Sequence, residues 1–360
     1  MASSEDVRSK LFETIQENSG VSGKPQKEEM TKRTAYLGGT PTIEMPEGHV
    51  AFSSLFWKPS TIPDIPVPLF KDEDWAEEVR DRIPEFNDKY YLNKKYVEEV
   101  LFSMHNKGTV LLYGPTGTGK TSILEQIAAK CRIPFFRVSC HPQQEASEFL
   151  GTNSVVTDPE SGTPITQHSD TDTTLAFKHG GIWCIDEAFR SPILLSIQSG
   201  IEYPHVLQLQ DAQGCARALK APEEKFWAML TDNTNGTGDH TGSFTAEVQD
   251  LSTLNRIRQS VYVDYMSPTE EKKLLKQSFP DIPDMVLKDM IKIANLIRNA
   301  FKEGKLLQTM SIRELISWCE RLELLRDVEA SFRMAVFNRL VSTDQEIVKD
   351  CYKQVTATKL

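Results

Sequence analysis

Positive charge is in short supply in this sequence. Against 51 aspartates and glutamates stand 41 lysines and arginines, a formal net charge of −10. Such a chain is a poor non-specific binder of nucleic acid or anionic membrane, although a local basic pore can hide inside the total. No apolar run approaches the roughly 20 residues of a membrane span. The opening MASSEDVRSKLFETIQENSG lacks the apolar core of a signal peptide, so the expectation is a cytoplasmic protein with no membrane partner. Cysteines are few and scattered. Cys131, Cys140, Cys184, Cys215, Cys319 and Cys351 form no CxxC pair, and no histidine pair lies nearby at zinc spacing. They read as reduced, mostly buried thiols. His168, His179 and His240 lie near the segments discussed below but share no metal spacing, and read as ordinary structural or surface residues.

At 360 residues the chain is long enough for two domains or one large one with a sizeable core. Residues 1–35 are polar and charged, and are expected to form a disordered or weakly ordered leader. Residues 36–84 form an N-terminal extension. Its stretch 36–70, rich in proline with scattered aromatics, is expected to lie extended on the rest of the protein. Residues 71–107 read as helical, with Gly108 as the stop. Strand and helix signals then alternate. TVLLYG, PFFRVSC, GIWCID and KFWAML read as strands, and TSILEQIAAKC and SPILLSIQSGIEY as helices, with a short helix at ASEFLG. Residues 152–178 and 205–219 read as hairpin insertions, the second turning at Gln213-Gly214. This alternation predicts an α/β fold with a parallel sheet covered on both faces. After Tyr265 the patterns turn helical, so the expected domains are 85–265 (nucleotide-binding) and 266–360 (helical).

Residues 114–121, GPTGTGKT, match the phosphate-loop pattern G-x-x-x-x-G-K-[ST] in full, between a strand and a helix. Gly114, Gly117 and Gly119 let the backbone turn close to phosphate, and Pro115, Thr116, Thr118 and Ser122 complete the binding segment. Lys120 is expected to reach the β- and γ-phosphates, and the Thr121 hydroxyl to serve Mg²⁺. Asp186 and Glu187 end the apolar strand GIWCID. A carboxylate there is costly unless something binds it. A phosphate-loop ATPase needs one to organise Mg²⁺, largely through water, which suits Asp186. Glu187 would polarise the attacking water as general base. At the tip of the strand KFWAML, Asn233 is the candidate for orienting that water, with Thr231 the alternative.

The segments GPTGTGKT, GIWCIDEAFRSP, LTDNTNGTGD, LNRIRQ and TMSIRELISWCE occur in this order. Together they resemble an AAA+ ATPase of the MoxR-type group, and most closely the AAA+ subunit of cobaltochelatase. The resemblance covers about residues 85–325. It implies a P-loop AAA+ core with a parallel five-stranded sheet and β-hairpin insertions, followed by an α-helical lid. It also implies ATP and Mg²⁺ as cofactors. By position, Asn233 resembles the sensor-1 residue and Arg313 the sensor-2 arginine of the lid. Arg256 resembles the arginine finger that reaches a neighbouring subunit, with Arg258 as backup. Arg190 matches an arginine expected at the subunit boundary. The two hairpins resemble insertions that face a ring's pore or its partner. The family has small residues where this chain has Asp232, which places an extra acid near the γ-phosphate unless strand alternation points it away.

The leading functional expectation is an ATP-hydrolysing ring, by resemblance a homo-oligomer and a hexamer, that remodels a partner, which the resemblance implies is a protein carrying a von Willebrand A domain or another client. A second is the ATPase subunit of a cobaltochelatase inserting Co²⁺ into a corrin ring. A third is a nucleic-acid-associated motor, or a GTPase of the restriction type, since no residue here selects the base.

Overall fold

The computed structural model describes residues 43–157, 162–210, 216–238 and 247–356. The leader at 1–35, the hairpin tip at Gln213-Gly214, Cys215 and His240 lie outside the described residues. Residues Glu44–Leu360 make up one compact unit.

The N-terminal extension starts with an antiparallel pair, β1 (His49–Ala51) and β2 (Pro66–Pro68). Between them Phe52, Phe56 and Trp57 cluster, with the Phe52 and Phe56 rings 5.1 Å apart. Part of the extension lies on helix α1 (Lys94–His105). There the buried Glu98 carboxylate accepts from Trp57 Nε1 at 3.0 Å, Ser60 N at 3.2 Å and Thr61 N at 2.8 Å. Of the helix expected over 71–107, only α1 is regular. Asp72–Asp74 and Glu77–Arg82 are tight 3₁₀ turns, and Ile83 is extended, as a residue before proline prefers. The left-handed residue that ends α1 is Lys107 (φ 51°), not Gly108. Gly108 instead packs where a Cβ would lie 2.9 Å from Ser103 Oγ.

Strand β3 (Val110–Tyr113) leads through residues 114–119 into α2 (Lys120–Cys131), and β4 (Phe135–Ser139) follows. Strands β5 (Thr152–Thr157) and β6 (Pro164–Ser169) form the first expected hairpin. It ends sooner than expected. Thr171 caps a new helix, α3 (Asp172–His179), accepting from Thr174 N. After β7 (Gly181–Asp186), the single helix expected over 191–203 is broken into short turns, Ile193–Ser196 and Gln198–Ile201. The break is at Ile197 (φ −117°, ψ 18°), beside Gly200, which is crowded by Leu207, Phe177 and Trp183. Strands β8 (Val206–Gln210) and β9 (Ala216–Lys220) pair antiparallel as the second hairpin. Then come β10 (Phe226–Asp232) and β11 (Gln259–Tyr262).

The five-stranded sheet has the order β11-β3-β10-β7-β4, with every neighbouring pair parallel. Every residue of β7 and β10 is buried. That is why GIWCID and FWAML read as unbroken apolar runs: a central parallel strand is covered on both faces. The register pairs Thr231 with Asp186 and Ser139 with Asp186, bringing three strand ends level at one edge. Ligands bind at that carboxyl edge in open α/β sheets.

The C-terminal region is helical: α4 (Pro268–Ser278), α5 (Asp284–Lys302), α6 (Ile312–Leu325), α7 (Val328–Ala335) and α8 (Ser342–Thr356). Each helix presents one apolar face, and Trp318, Phe332, Tyr352 and Ile293 meet in their common core. Inside this region Arg298 and Glu271 form an ion pair at 2.7 Å that is shut off from solvent. Among the described residues no helix is long and apolar enough to cross a membrane. Cys131, Cys140, Cys184, Cys319 and Cys351 are buried thiols.

Candidate functional site

The phosphate loop leaves the sheet edge after β3. Gly119 adopts φ 86° just before α2, a left-handed conformation that suits glycine, and the helix N-terminus follows at once. Gly117 is left-handed too (φ 70°) and carries a second constraint. A Cβ there would lie 2.3 Å from the Ser311 Cβ, so the approach of loop and helical lid requires glycine. Lys120 is 8% exposed. Its ammonium donates to Gly114 O at 2.9 Å, Pro115 O at 2.9 Å and Asn233 Oδ1 at 3.1 Å. Its acceptors are neutral oxygens, and burial pushes the ammonium down to about 8 against the pull of Asp232 and Asp186. A buried ammonium beside a glycine-rich helix N-terminus is a fit for phosphate.

The Asp186 carboxylate, 6% exposed, is divided between two kinds of donor. Its Oδ1 accepts from Thr121 Oγ1 at 2.9 Å and from Thr231 Oγ1. Its Oδ2 takes the Arg137 guanidinium, through Nε at 2.9 Å and through Nη2. Burial raises this carboxyl, but the Thr231 and Thr121 hydroxyls and the Arg137 charge together hold it below the usual carboxylate range. Thr121 and Asp186 supply the hard oxygen donors that suit Mg²⁺.

Glu187 has φ 55° and ψ 42°, an uncommon backbone for a non-glycine residue and one that recurs at functional sites. Its carboxylate pairs with Arg190 Nη1 of the same chain at 2.9 Å. The turn behind it is anchored by Asp232. Asp232 Oδ2 accepts from Phe189 N at 2.9 Å, and Oδ1 accepts from Thr234 N at 2.8 Å and Thr234 Oγ1 at 3.0 Å. The extra acid therefore spends both oxygens on its own chain, tying the Glu187 turn to the loop that carries Asn233.

Lys120, Thr121, Asp186, Glu187, Asn233 and Arg313 line one cleft. Arg313 comes from the start of α6, where Ser311 and Glu314 form a capping box. A larger cavity of about 390 Å³ adjoins the cleft, sharing Thr116, Gly117 and Arg313 and walled by Phe301 and Leu307 of the lid. The lid is fastened to the loop by Tyr265, whose hydroxyl donates to Thr116 O at 3.2 Å and whose ring faces the Arg298 guanidinium at 4.3 Å.

The two candidates at the tip of β10 have different partners: Asn233 bonds Lys120, and Thr231 bonds Asp186. Arg256 and Arg258 are not among the cleft's lining residues. Arg256 pairs with Glu202 at 3.0 Å and donates to Ser252 O at 2.6 Å. The Arg258 side chain packs against Gly108. His168 bonds Asn153 and Leu150 O, and His179 lies 2.6 Å from Glu78. Sequence reasoning missed Arg137 and the bonding role of Asp232. The signal for Arg137 was a lone charge inside the apolar run PFFRVSC.

Residues 109–242 match the AAA domain of the dynein-related subfamily, and residues 271–358 match the CbbQ/NirQ/NorQ C-terminal family. The chain is 25% identical over 286 residues to the aerobic cobaltochelatase subunit CobS of a Sinorhizobium species, covering 77% of this chain and 84% of that one. It is 25% identical over 256 residues to an uncharacterized protein of Staphylococcus haemolyticus, covering 70% of this chain and 91% of that one. Among solved structures it resembles the Thermotoga maritima RuvB Holliday junction branch migration motor. There the TM-score is 0.38 and the identity 16%, over 77% of this chain and 74% of that one. An AAA domain followed by a CbbQ/NirQ/NorQ C-terminal domain is the arrangement of the MoxR-type AAA+ group, which this chain resembles.

Proposed function

We propose that this chain binds and hydrolyses ATP in the cleft at the sheet's carboxyl edge, and that it works as a subunit of a ring of its own copies, a hexamer. The observation that carries the reading is the convergence of Lys120, Thr121, Asp186, Glu187, Asn233 and Arg313 on that one cleft. Lys120 and the loop N–H groups would bind the β- and γ-phosphates. Thr121 and Asp186 would hold Mg²⁺, which neutralises phosphate charge when bound. Glu187 would accept a proton from the attacking water, with Asn233 orienting that water. Arg313 would place lid charge at the γ-phosphate, so that hydrolysis moves the lid. Arg256 would leave Glu202 for a neighbour's nucleotide, and Arg190 would contact that neighbour at the boundary. Arginine suits such a role because its planar fork bonds phosphate oxygens at fixed geometry.

ATP turnover would drive the lid and the two hairpins to remodel a partner protein, of the kind that carries a von Willebrand A domain. Glu187→Gln is expected to keep ATP binding and lose hydrolysis; turnover at the normal rate would overturn the assignment. Arg256→Ala and Lys120→Ala proteins, each inactive alone, are expected to regain activity when mixed. Normal hydrolysis by Arg256→Ala alone would move the finger elsewhere.

The similarity to the CobS subunit favours a second reading, the ATPase of a cobaltochelatase. Its test is Co²⁺ insertion into a corrin ring by a reconstituted complex, with loss of insertion on Glu187→Gln.

A further inference from the structure

Arg137 is a charged residue in the middle of an apolar strand, and its guanidinium reaches the acid at the end of the next strand. The register sets this up. Arg137 lies opposite Cys184 and Ser139 opposite Asp186, so the arginine starts two residues below the sheet edge and extends up to it. Its long side chain covers that distance and bonds Asp186 Oδ2 with Nε at 2.9 Å. The two partners differ in exposure. The Asp186 side chain is 9% exposed, the Arg137 side chain 54%. The carboxylate cannot turn to solvent for compensation and needs a cation beside it. The guanidinium can withdraw into water cheaply, because its own side chain is already half exposed.

We propose that Arg137 is a resident cation at the divalent-ion position: it neutralises Asp186 through Oδ2 and competes with Mg²⁺ for that carboxylate as nucleotide loads. The inference rests on the reading of Thr121 and Asp186 as the Mg²⁺ residues. It assigns Arg137 as a positioning residue with two opposed effects. With no metal present, Arg137 cancels a negative charge that would otherwise repel phosphate, so it favours metal-free nucleotide binding. When Mg²⁺ arrives, the same guanidinium must yield, so it raises the Mg²⁺ concentration required. Arginine suits the task better than lysine, since its fork makes two contacts to one oxygen.

The test is binding of N-methylanthraniloyl-ADP by fluorescence, in EDTA and across a Mg²⁺ titration, with the full chain. Arg137→Gln is expected to weaken binding in EDTA five- to tenfold. It is also expected to lower the half-saturating Mg²⁺ concentration by about the same factor. A purely structural role for Arg137 would weaken both together, so loss in both arms overturns the proposal. An unchanged half-saturating Mg²⁺ also overturns it. Arg137→Lys keeps the charge without the fork and is expected to shift both readouts in the same senses by two- to threefold. That variant decides the matter if the glutamine protein does not fold. Lys120→Ala separates this idea from the site reading. If Lys120→Ala binds the nucleotide normally, the phosphate-site reading fails. If it loses binding while Arg137→Gln leaves the Mg²⁺ titration in place, only the competition fails.

Discussion

Replacing Asp232 with alanine tests whether the acid that departs from the family pattern positions the machinery around Glu187. Asp232 is 3% exposed and accepts three hydrogen bonds, one from the main chain of the fully buried Phe189 and two from Thr234. Truncation leaves the Phe189 N–H without its acceptor in the interior. An orphaned buried donor costs about 1–3 kcal/mol, and a hydrogen bond to a charged group contributes about 1.5–3 kcal/mol. Removing a buried carboxylate returns part of that, because its own desolvation cost disappears. The net expectation is a loss of about 2–3 kcal/mol by the same scale. Urea-induced unfolding should show a lower midpoint at an unchanged slope. The functional effect follows from the anchor. Phe189 N fixes the turn two residues after Glu187, and misplacing a reacting group by about 1 Å can cost roughly 100-fold in rate. Single-turnover hydrolysis at saturating ATP should fall by about that factor, while nucleotide affinity should change by less than about tenfold. Asp232→Asn keeps one acceptor and should fall between. Wild-type stability together with a rate within about twofold of normal would refute the reasoning. Equal collapse of rate and affinity would point to lost folding and would count against a positioning role.

Glu98 predicts a pH-dependent anchor. Burial raises its carboxyl, but the bonds from Thr61, Trp57 and Ser60 hold it below the ordinary carboxylate range in the folded protein. The stabilisation it provides is therefore full above the unfolded carboxyl's pKa and is lost as pH falls through the depressed folded value. Glu98→Gln should be less stable by about 1–3 kcal/mol at pH 7. The gap in melting temperature should close in acid, and a gap constant across pH would contradict the argument. In the lid, Arg298→Met strands the buried Glu271, whose carboxyl burial already pushes up, and should cost about 3–5 kcal/mol. The double variant with Glu271→Met should recover most of that loss in thermal unfolding; no recovery would show that the pair is not the cause. Tyr265→Phe removes the hydroxyl from Thr116 O but keeps the ring on Arg298. It should cost about 0.5–1.5 kcal/mol and weaken the protection from hydrogen exchange that nucleotide confers on the lid. Wild-type protection would mean the coupling runs elsewhere.

Much of the site could be read from local stretches. GPTGTGKT carries its own chemistry, because a phosphate cradle is made of consecutive backbone N–H groups and the helix that follows them. The apolar runs announced β7 and β10 because a central parallel strand is buried on both faces. Where the local signal was weaker, tertiary packing overrode it. Residues 191–203 break at Ile197, residues 172–179 form a helix in place of hairpin, and residues 71–93 make turns where a helix was expected.

The sequence by itself determined the phosphate loop, the acids that end an apolar strand, and four of the five strands of the sheet. Each of those depends on neighbours a few residues away. The tertiary structure alone decided that Arg137 and Thr231 share Asp186 and that Asp232 holds the Glu187 turn. It also decided that Asn233 meets Lys120 across 113 residues of chain. Those contacts exist because the sheet order β11-β3-β10-β7-β4 sets strands distant in sequence side by side in one register. Only that register determines which side chain faces which carboxylate oxygen.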